Sequence, residues 1–428
     1  MPSQVSRRNP VAPQTAEAKT TTTATAMTMT DSAPELTAEK QGLVATYEEL
    51  ALPAVGLAAA NAASVDRDAR FPVEAIDALR AASLLGAMVP RELGGMGATL
   101  MDMAGVVQAL GRSCSTTGMV FAMHQIQVAC LVRHGHSETL QQVLRDLSQN
   151  QRLFASATTE LAVGGSVRTS VCAVTPVEGA IDRFSLEKQA SVISYGEYCD
   201  AILATARRNP EAQASDQSLV FVPRSSATLE RTSGWNTLGF RGTCSNGFLL
   251  RTEGDLNQVF PVPYGDISAQ TMLPVSHVVW THLWLGIATE AVSRARAFLR
   301  LAARKTPGTT PISAGPIAEL VARLHEMRAL VHATGAEYQA LSNDPASADE
   351  LSRAAFSIRM NNLKVSSSRM VVEIVDAAME ACGMAAYRED TPHSMGRLLR
   401  DAHGARVMIN NERILGSNAQ WLLVSKED

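Results

Sequence analysis

Aromatic side chains make up only 5% of this chain, and no stretch approaches the ~20 consecutive apolar residues that a membrane-crossing helix needs. Helical membrane spans are therefore excluded. Lys and Arg number 38 against 42 acids, for a formal net charge of −4, and they are spread along the chain. The basic footprint of a nucleic-acid binder is missing, so nucleic acid is excluded as a partner. The six cysteines, Cys114, Cys130, Cys172, Cys199, Cys244 and Cys382, form no C-x-x-C pair and no Cys/His cluster at zinc spacing. They read as reduced, mostly buried thiols of a cytoplasmic protein, with no metal site. No internal repeat recurs at solenoid spacing.

What is present is a core. With 428 residues, 46% of them hydrophobic, the chain is long enough for two or three domains. Residues 1–36 are rich in Thr, Ala, Ser and Pro, with too little apolar content to offset the entropy of ordering, and read as a disordered tail. Its two early arginines and late first acid, Glu17, have the composition of a transit peptide, but the apolar core of a secretory signal is absent. From 37 to 153 the pattern is helical: Pro72 opens a helix with a Val73, Ile76, Leu79 and Ala82 stripe, and further helices run over 100–110 and 117–133. From 154 to 272 the period shortens to β-branched and alternating runs at 171–175, 183–188, 201–206, 218–222 and 247–251, which argue for antiparallel strands in a compact β-domain. From 273 to 428 long amphipathic helices return at 283–304, 314–343, 348–384 and from 394, the reading of a four-helix bundle.

Two segments carry a likeness. Thr232-Ser-Gly-Trp-Asn-Thr-Leu-Gly-Phe-Arg-Gly-Thr-Cys-Ser245 is similar to a W-x-T-L-G-x-R-G-T-x-S turn, and Arg397-Leu-Leu-Arg-Asp-Ala-His-Gly-Ala-Arg406 is similar to an R-D-A-R-A-A-R stretch. Both belong to the acyl-CoA dehydrogenase superfamily, which the chain resembles over roughly residues 40–425. The loop Val89-Pro-Arg-Glu-Leu-Gly-Gly-Met-Gly97 resembles that family's V-P-x-E-x-G-G-x-G connection. The resemblance implies a mostly α fold with a central, barrel-like antiparallel β-domain between an N-terminal helical domain and a C-terminal four-helix bundle. It also implies a flavin, FAD or alternatively FMN, in a homodimer or homotetramer.

Carried over residue by residue, Phe154-Ala-Ser-Ala-Thr-Thr-Glu160 and Gly164-Gly-Ser-Val167 resemble the A-x-T-E-x-x-x-G-S-D flavin cradle, which points to Thr158, Thr159 and Ser166 as flavin contacts. Small residues there let backbone amides converge on an anion. The acid expected after Ser166 is replaced by Val167. Lys188, Ser191 and Ser194 resemble the K-x-x-I-T strand, with Ser194 as the hydroxyl at the flavin edge; the same residues also fit an ordinary turn before Asp200. Trp235 and Arg241 would tie the turn together, with Arg241 counted among the flavin-site residues. The family's R-x-x-F-G-x-x-I-x-x-x-Q region corresponds to Ala302-Ala-Arg-Lys-Thr-Pro-Gly-Thr-Thr-Pro311, without the Phe or the Gln. Cys382-Gly383-Met384 keeps only part of a G-G-x-G, leaving Gly383 as the second phosphate contact.

The catalytic position is altered. Removing the proton α to a thioester while flavin N5 takes hydride from the β carbon requires a base, and the family's glutamate aligns with Ile409. A second lineage keeps its base where Ser276 and His277 stand here. Three local candidates remain: Glu412, one turn beyond Ile409 on the same face, His277 and His124, each of which also fits a paired or hydrogen-bonded structural role. Acyl-thioester dehydrogenation with Glu412 as base is the first expectation, with an acyl-CoA or acyl-carrier thioester as substrate and an electron-transfer flavoprotein or flavin reductase as partner. The second is a two-component monooxygenase using reduced FMN and O₂, a branch that does without the glutamate. The third is a pseudo-enzyme that keeps the fold alone.

Overall fold

Thr46 starts the helical part with a reciprocal cap: its hydroxyl accepts the Glu49 amide while the Glu49 carboxylate accepts the Thr46 amide. The computed structural model describes residues 45–161 and 168–424; the tail at 1–36 and the cradle residue Ser166 lie outside them. Helices α1 (Tyr47–Leu50), α2 (Leu52–Arg67), α3 (Val73–Ala81), α4 (Leu100–Ser113), α5 (Ser115–His134) and α6 (Glu138–Asn150) come first. In α3 the expected stripe is buried at Ile76 and Leu79, whereas Val73 is exposed in the first turn. Helix α5 is buried on every side, which explains why its composition is apolar without a polar face.

Seven strands follow: β1 (Phe154–Ala157), β2 (Thr175–Pro176), β3 (Arg183–Ile193), β4 (Ala201–Arg207), β5 (Gln217–Pro223), β6 (Ala227–Ser233) and β7 (Asn246–Asp255). They form two sheets, ordered β1-β4-β5 and β2-β3-β7-β6. Among the described residues all strand pairings are antiparallel except one, beside an isolated parallel bridge between Ala173 and Arg207. Strand β1 lies parallel to β4, Phe154 opposite Ala201, a correction to the all-antiparallel expectation. The physical reason is connectivity, since the chain passes through β2 and β3 of the other sheet before returning as β4.

Beyond α7 (Tyr264–Ile267) run α8 (Leu273–Lys305), α9 (Ala314–Asn343), α10 (Ala348–Leu351), α11 (Ala354–Cys382), α12 (Met384–Tyr387), α13 (Gly396–Val407) and α14 (Asn411–Val424). Helix α8 starts ten residues before the sequence expectation, because Pro274 sits in its first turn, where no amide partner is lost. It packs against α4, α5, α9 and α11. The α4/α8 crossing depends on glycine: a Cβ on Gly286 would lie 2.4 Å from the Gln108 carbonyl, and one on Gly111 2.8 Å from the Leu283 carbonyl. The six cysteines are free thiols, five buried and Cys244 half-buried. Among the described residues no helix is long and apolar enough to cross a membrane.

Candidate active site

The segment 235–243 is folded over the start of α13 by one buried acid. Asp401 accepts the Phe240 amide at 2.7 Å and the Ser115 hydroxyl at 2.8 Å. Burial raises its carboxyl above the usual range, and those two donors pull the other way. Next to it Arg400 forms a two-point pair with Asp66 at 2.8 and 2.5 Å, tying α13 to α2. Trp235 Nε1 and the Thr243 hydroxyl both donate to the Phe240 carbonyl, at 3.0 and 2.9 Å. These bonds stand the turn up as a wall.

Between that wall, the end of β3, helix α5 and the α13 C-terminus lies a cavity of about 650 Å³, within the range of roughly 300–1,000 Å³ typical of small-molecule sites. Met119, Met123, Val192, Trp235, Phe240, Met408 and Ile409 supply its apolar surface. Along one side Ser194 and Ser245 are 2.7 Å apart, and Ser245 and Thr243 2.8 Å, a chain of three hydroxyls. Its ionisable lining residues are Arg400, His403 and Arg406. Arg406 Nε is buried without a hydrogen-bond partner among the described residues.

Ser194 and Trp235 line this cavity, and Ile409 does too. Thr158 and Thr159 are not among the lining residues; the Thr159 hydroxyl accepts from that of Ser191, on β3, at 2.8 Å. Thr158 is half-buried beside it and accepts through its carbonyl from Thr205 at 3.5 Å. Glu160 accepts the Val171 and Cys172 amides and pairs with the buried Lys188 of β3 at 3.4 Å. Arg241 and Gly383 are not among the lining residues. The Arg241 guanidinium is engaged by the carbonyls of Asp66 and Thr237, and Gly383, at φ +56°, ends α11.

None of the three candidate catalytic side chains lines the cavity. Glu412 is exposed in the first turn of α14. His124 is buried with both ring nitrogens engaged: Nδ1 accepts the Phe154 amide at 3.0 Å, which leaves Nε2 to donate to the Leu85 carbonyl at 2.9 Å. Burial lowers its pKa to about 4. His277 faces the Met360 carbonyl through Nδ1 at 3.0 Å, and burial first, the Lys364 charge second, lower it to about 3.

His403 was not singled out by the sequence reading, yet the signal was there. Arg400, His403, Gly404 and Val407 recur at helical spacing on one face of α13, and all four line the cavity. Lys364 was missed as well. It is a fully buried amine on α11, pushed down to about 7 by burial, that donates to the Ile409 carbonyl at 2.6 Å.

A flavin is a flat, largely apolar tricycle with hydrogen-bonding heteroatoms on one edge and a phosphate tail. The cavity presents apolar walls, a hydroxyl row at Ser194, Ser245 and Thr243, and an unpartnered guanidinium nitrogen on Arg406, so the residues present fit that group.

Comparison with known proteins agrees. Residues 37–151 match the family model described as "Acyl-CoA dehydrogenase, N-terminal domain", and residues 266–409 match "Acyl-CoA dehydrogenase, C-terminal domain", together more than half of the chain. A cyclohex-1-ene-1-carbonyl-CoA dehydrogenase from Syntrophus aciditrophicus is 25% identical over 274 residues, covering 63% of this chain and 64% of that one, so the match spans less than two thirds of that relative's length. An L-evernosamine nitrososynthase from Micromonospora sp. is 26% identical over 378 residues, 82% of each chain. Among solved structures, FMN-bound TdsC from Paenibacillus sp. A11-2, a dibenzothiophene monooxygenase, superposes with a TM-score of 0.76 over 88% of this chain and 97% of that one. At 18% identity this last likeness bears on the fold alone. With the family's two helical domains matched, the chain belongs to the acyl-CoA dehydrogenase family of flavoenzymes.

Proposed function

We propose that this flavoenzyme is a monooxygenase that works with a reduced flavin, FMN in preference to FAD, and O₂. The observation that carries this reading is Ile409. Dehydrogenating a thioester needs a proton acceptor beside the flavin, and the wall where the family's glutamate aligns is a branched hydrocarbon. Glu412, the first choice from sequence, is exposed and outside the lining. The nitrososynthase match across 82% of both chains supports the same branch. FMN is favoured because Ala302–Pro311 carries neither the Phe nor the Gln of the dinucleotide-binding pattern.

In this reading the flavin supplies the redox and oxygen chemistry when bound, and the protein supplies orientation, dryness and a proton relay. Thr243 gives its hydrogen to Phe240, so Ser245 donates to Thr243 and Ser194 to Ser245, and Ser194 would offer its oxygen to an N–H on the ring's heteroatom edge. Arg406 receives an anionic group. Met119, Met123, Trp235 and Phe240 keep water away, which strengthens every polar contact inside. The His403 imidazole, part of the lining, takes the proton that the substrate loses. His124 acts as a strut between α5, β1 and the Leu85 carbonyl. A reductase that delivers reduced flavin is the implied partner.

An anaerobic titration tests the choice of reaction. With flavin bound, a panel of acyl-CoAs is expected to leave its visible absorbance unchanged. Reduced FMN mixed with the protein and air is expected to release hydrogen peroxide more slowly than reduced FMN alone. Bleaching by an acyl-CoA without air returns the chain to dehydrogenation, and failure to bind either flavin returns it to the pseudo-enzyme.

A further inference from the structure

Ile409 adopts φ +53°, the left-handed region, where a β-branched side chain collides with its own backbone. Such a conformation persists only where the surroundings fix it, and it collects at functional sites. Here the fixing group is identifiable. Lys364, fully buried on α11, donates to the Ile409 carbonyl at 2.6 Å and to Asn411 Oδ1 at 2.7 Å. Asn411 Nδ2 in turn donates to the Ser368 hydroxyl at 3.0 Å, one turn along α11. The face of the Trp284 indole, on α8, lies 5.9 Å from the amine.

Among the described residues no carboxylate pairs with Lys364. Burying an ammonium against neutral oxygens is unfavourable unless those contacts serve something else. What they hold is the chain reversal between α13 and α14, and the two residues before it, Met408 and Ile409, are cavity walls.

We propose that Lys364 is the positioning residue of the cavity: its buried amine clamps the left-handed turn at Ile409 and so sets where Met408 and Ile409 stand. That the clamp matters for flavin rests on the functional reading above, whereas the clamp itself does not.

The test is a double-substitution cycle on the full chain, read by hydrogen exchange of the Met408, Glu412 and Arg413 amides. The Met408 amide bonds to the Gly404 carbonyl at the end of α13, and those of Glu412 and Arg413 bond to Asn410 within the reversal. Lys364→Met is expected to speed their exchange roughly tenfold or more by releasing the turn. Glycine enters the left-handed region freely, so in the Ile409→Gly background the same change is expected to speed exchange much less. A merely destabilised core would show equal acceleration in both backgrounds. Equal acceleration overturns the proposal, as does none in either. If Lys364→Met does not fold with Ile409 present, Lys364→Gln, which keeps an NH2 donor group, replaces it; loss of folding in both backgrounds also overturns the clamp. FMN affinity, measured on the same variants, is expected to weaken with the loosened turn and to recover in the glycine background. Exchange that behaves as expected with unmoved FMN affinity keeps the clamp and removes the cavity from the flavin site.

Discussion

Ile409 and His403 are six residues apart, and in the proposed reaction they divide the chemistry between them. The first replaces a base with hydrocarbon, and the second brings a titratable ring to the same cavity. His403→Gln is expected to lower turnover with reduced FMN by about 10²–10⁴-fold, the usual worth of a positioned acid–base group, with flavin affinity retained in a fluorescence titration. Loss of binding and turnover together would make His403 a packing residue. Glu412→Gln is expected to leave turnover unchanged and stability within about 0.5 kcal/mol in urea melts, as befits an exposed side chain. Turnover that collapses in that variant restores the carboxylate to the mechanism. Ile409 was legible because the R-D-A run fixes its register without gaps. His403 stood in the same run and went unread because its role depends on which face of α13 turns inward, a tertiary fact.

The junction between the 235–243 turn and α13 is the element on which the site depends. Asp401→Ala leaves the Phe240 amide and Ser115 hydroxyl buried without their acceptor, and is expected to cost roughly 2–4 kcal/mol, near the sum of two lost partners. Asp401→Asn keeps an acceptor oxygen and is expected to cost about 1 kcal/mol or less. Equal losses in the two variants, by urea denaturation, would refute the bridging role. Gly239→Ala is also expected to destabilise, since a Cβ there would lie 2.3 Å from the Arg400 carbonyl, a main-chain atom that cannot move aside. Sequence showed this turn through its residue pattern, and showed β3, β4, β5 and β7 through their alternation. It concealed β6, whose run Ala227-Thr-Leu-Glu-Arg-Thr-Ser233 is mostly exposed and polar: a charged edge strand guards against pairing and so gives no apolar signal. Strand β1 was hidden by its four residues and its parallel pairing.

Taken as a whole, the molecule buries several imidazoles in neutral form. Burial lowers His124, His134 and His282 to about 4 and His277 to about 3, against an ordinary 6.5. Below about 6.5 the unfolded chain binds protons that the native one refuses, so stability falls as pH drops from there toward 4, by up to roughly 1.4 kcal/mol per pH unit for each ring. Urea midpoints are expected to decline steeply between about pH 6.5 and pH 4.5 and to flatten above pH 7 as far as these rings are concerned; a flat profile through the acid window would mean that the rings protonate in place. The order of helices, strands and helices was readable from periodicity. Which side chains converge on one cavity was not, because Met119, Ser194, Phe240 and Ile409 come from four distant stretches. A crystal structure grown with FMN tests the central claim most directly. The tricycle is expected in the cavity, its edge within hydrogen-bond reach of Ser194 and its plane against Met408 or Ile409. Density for the ring elsewhere, with this cavity filled by its own side chains, would contradict it.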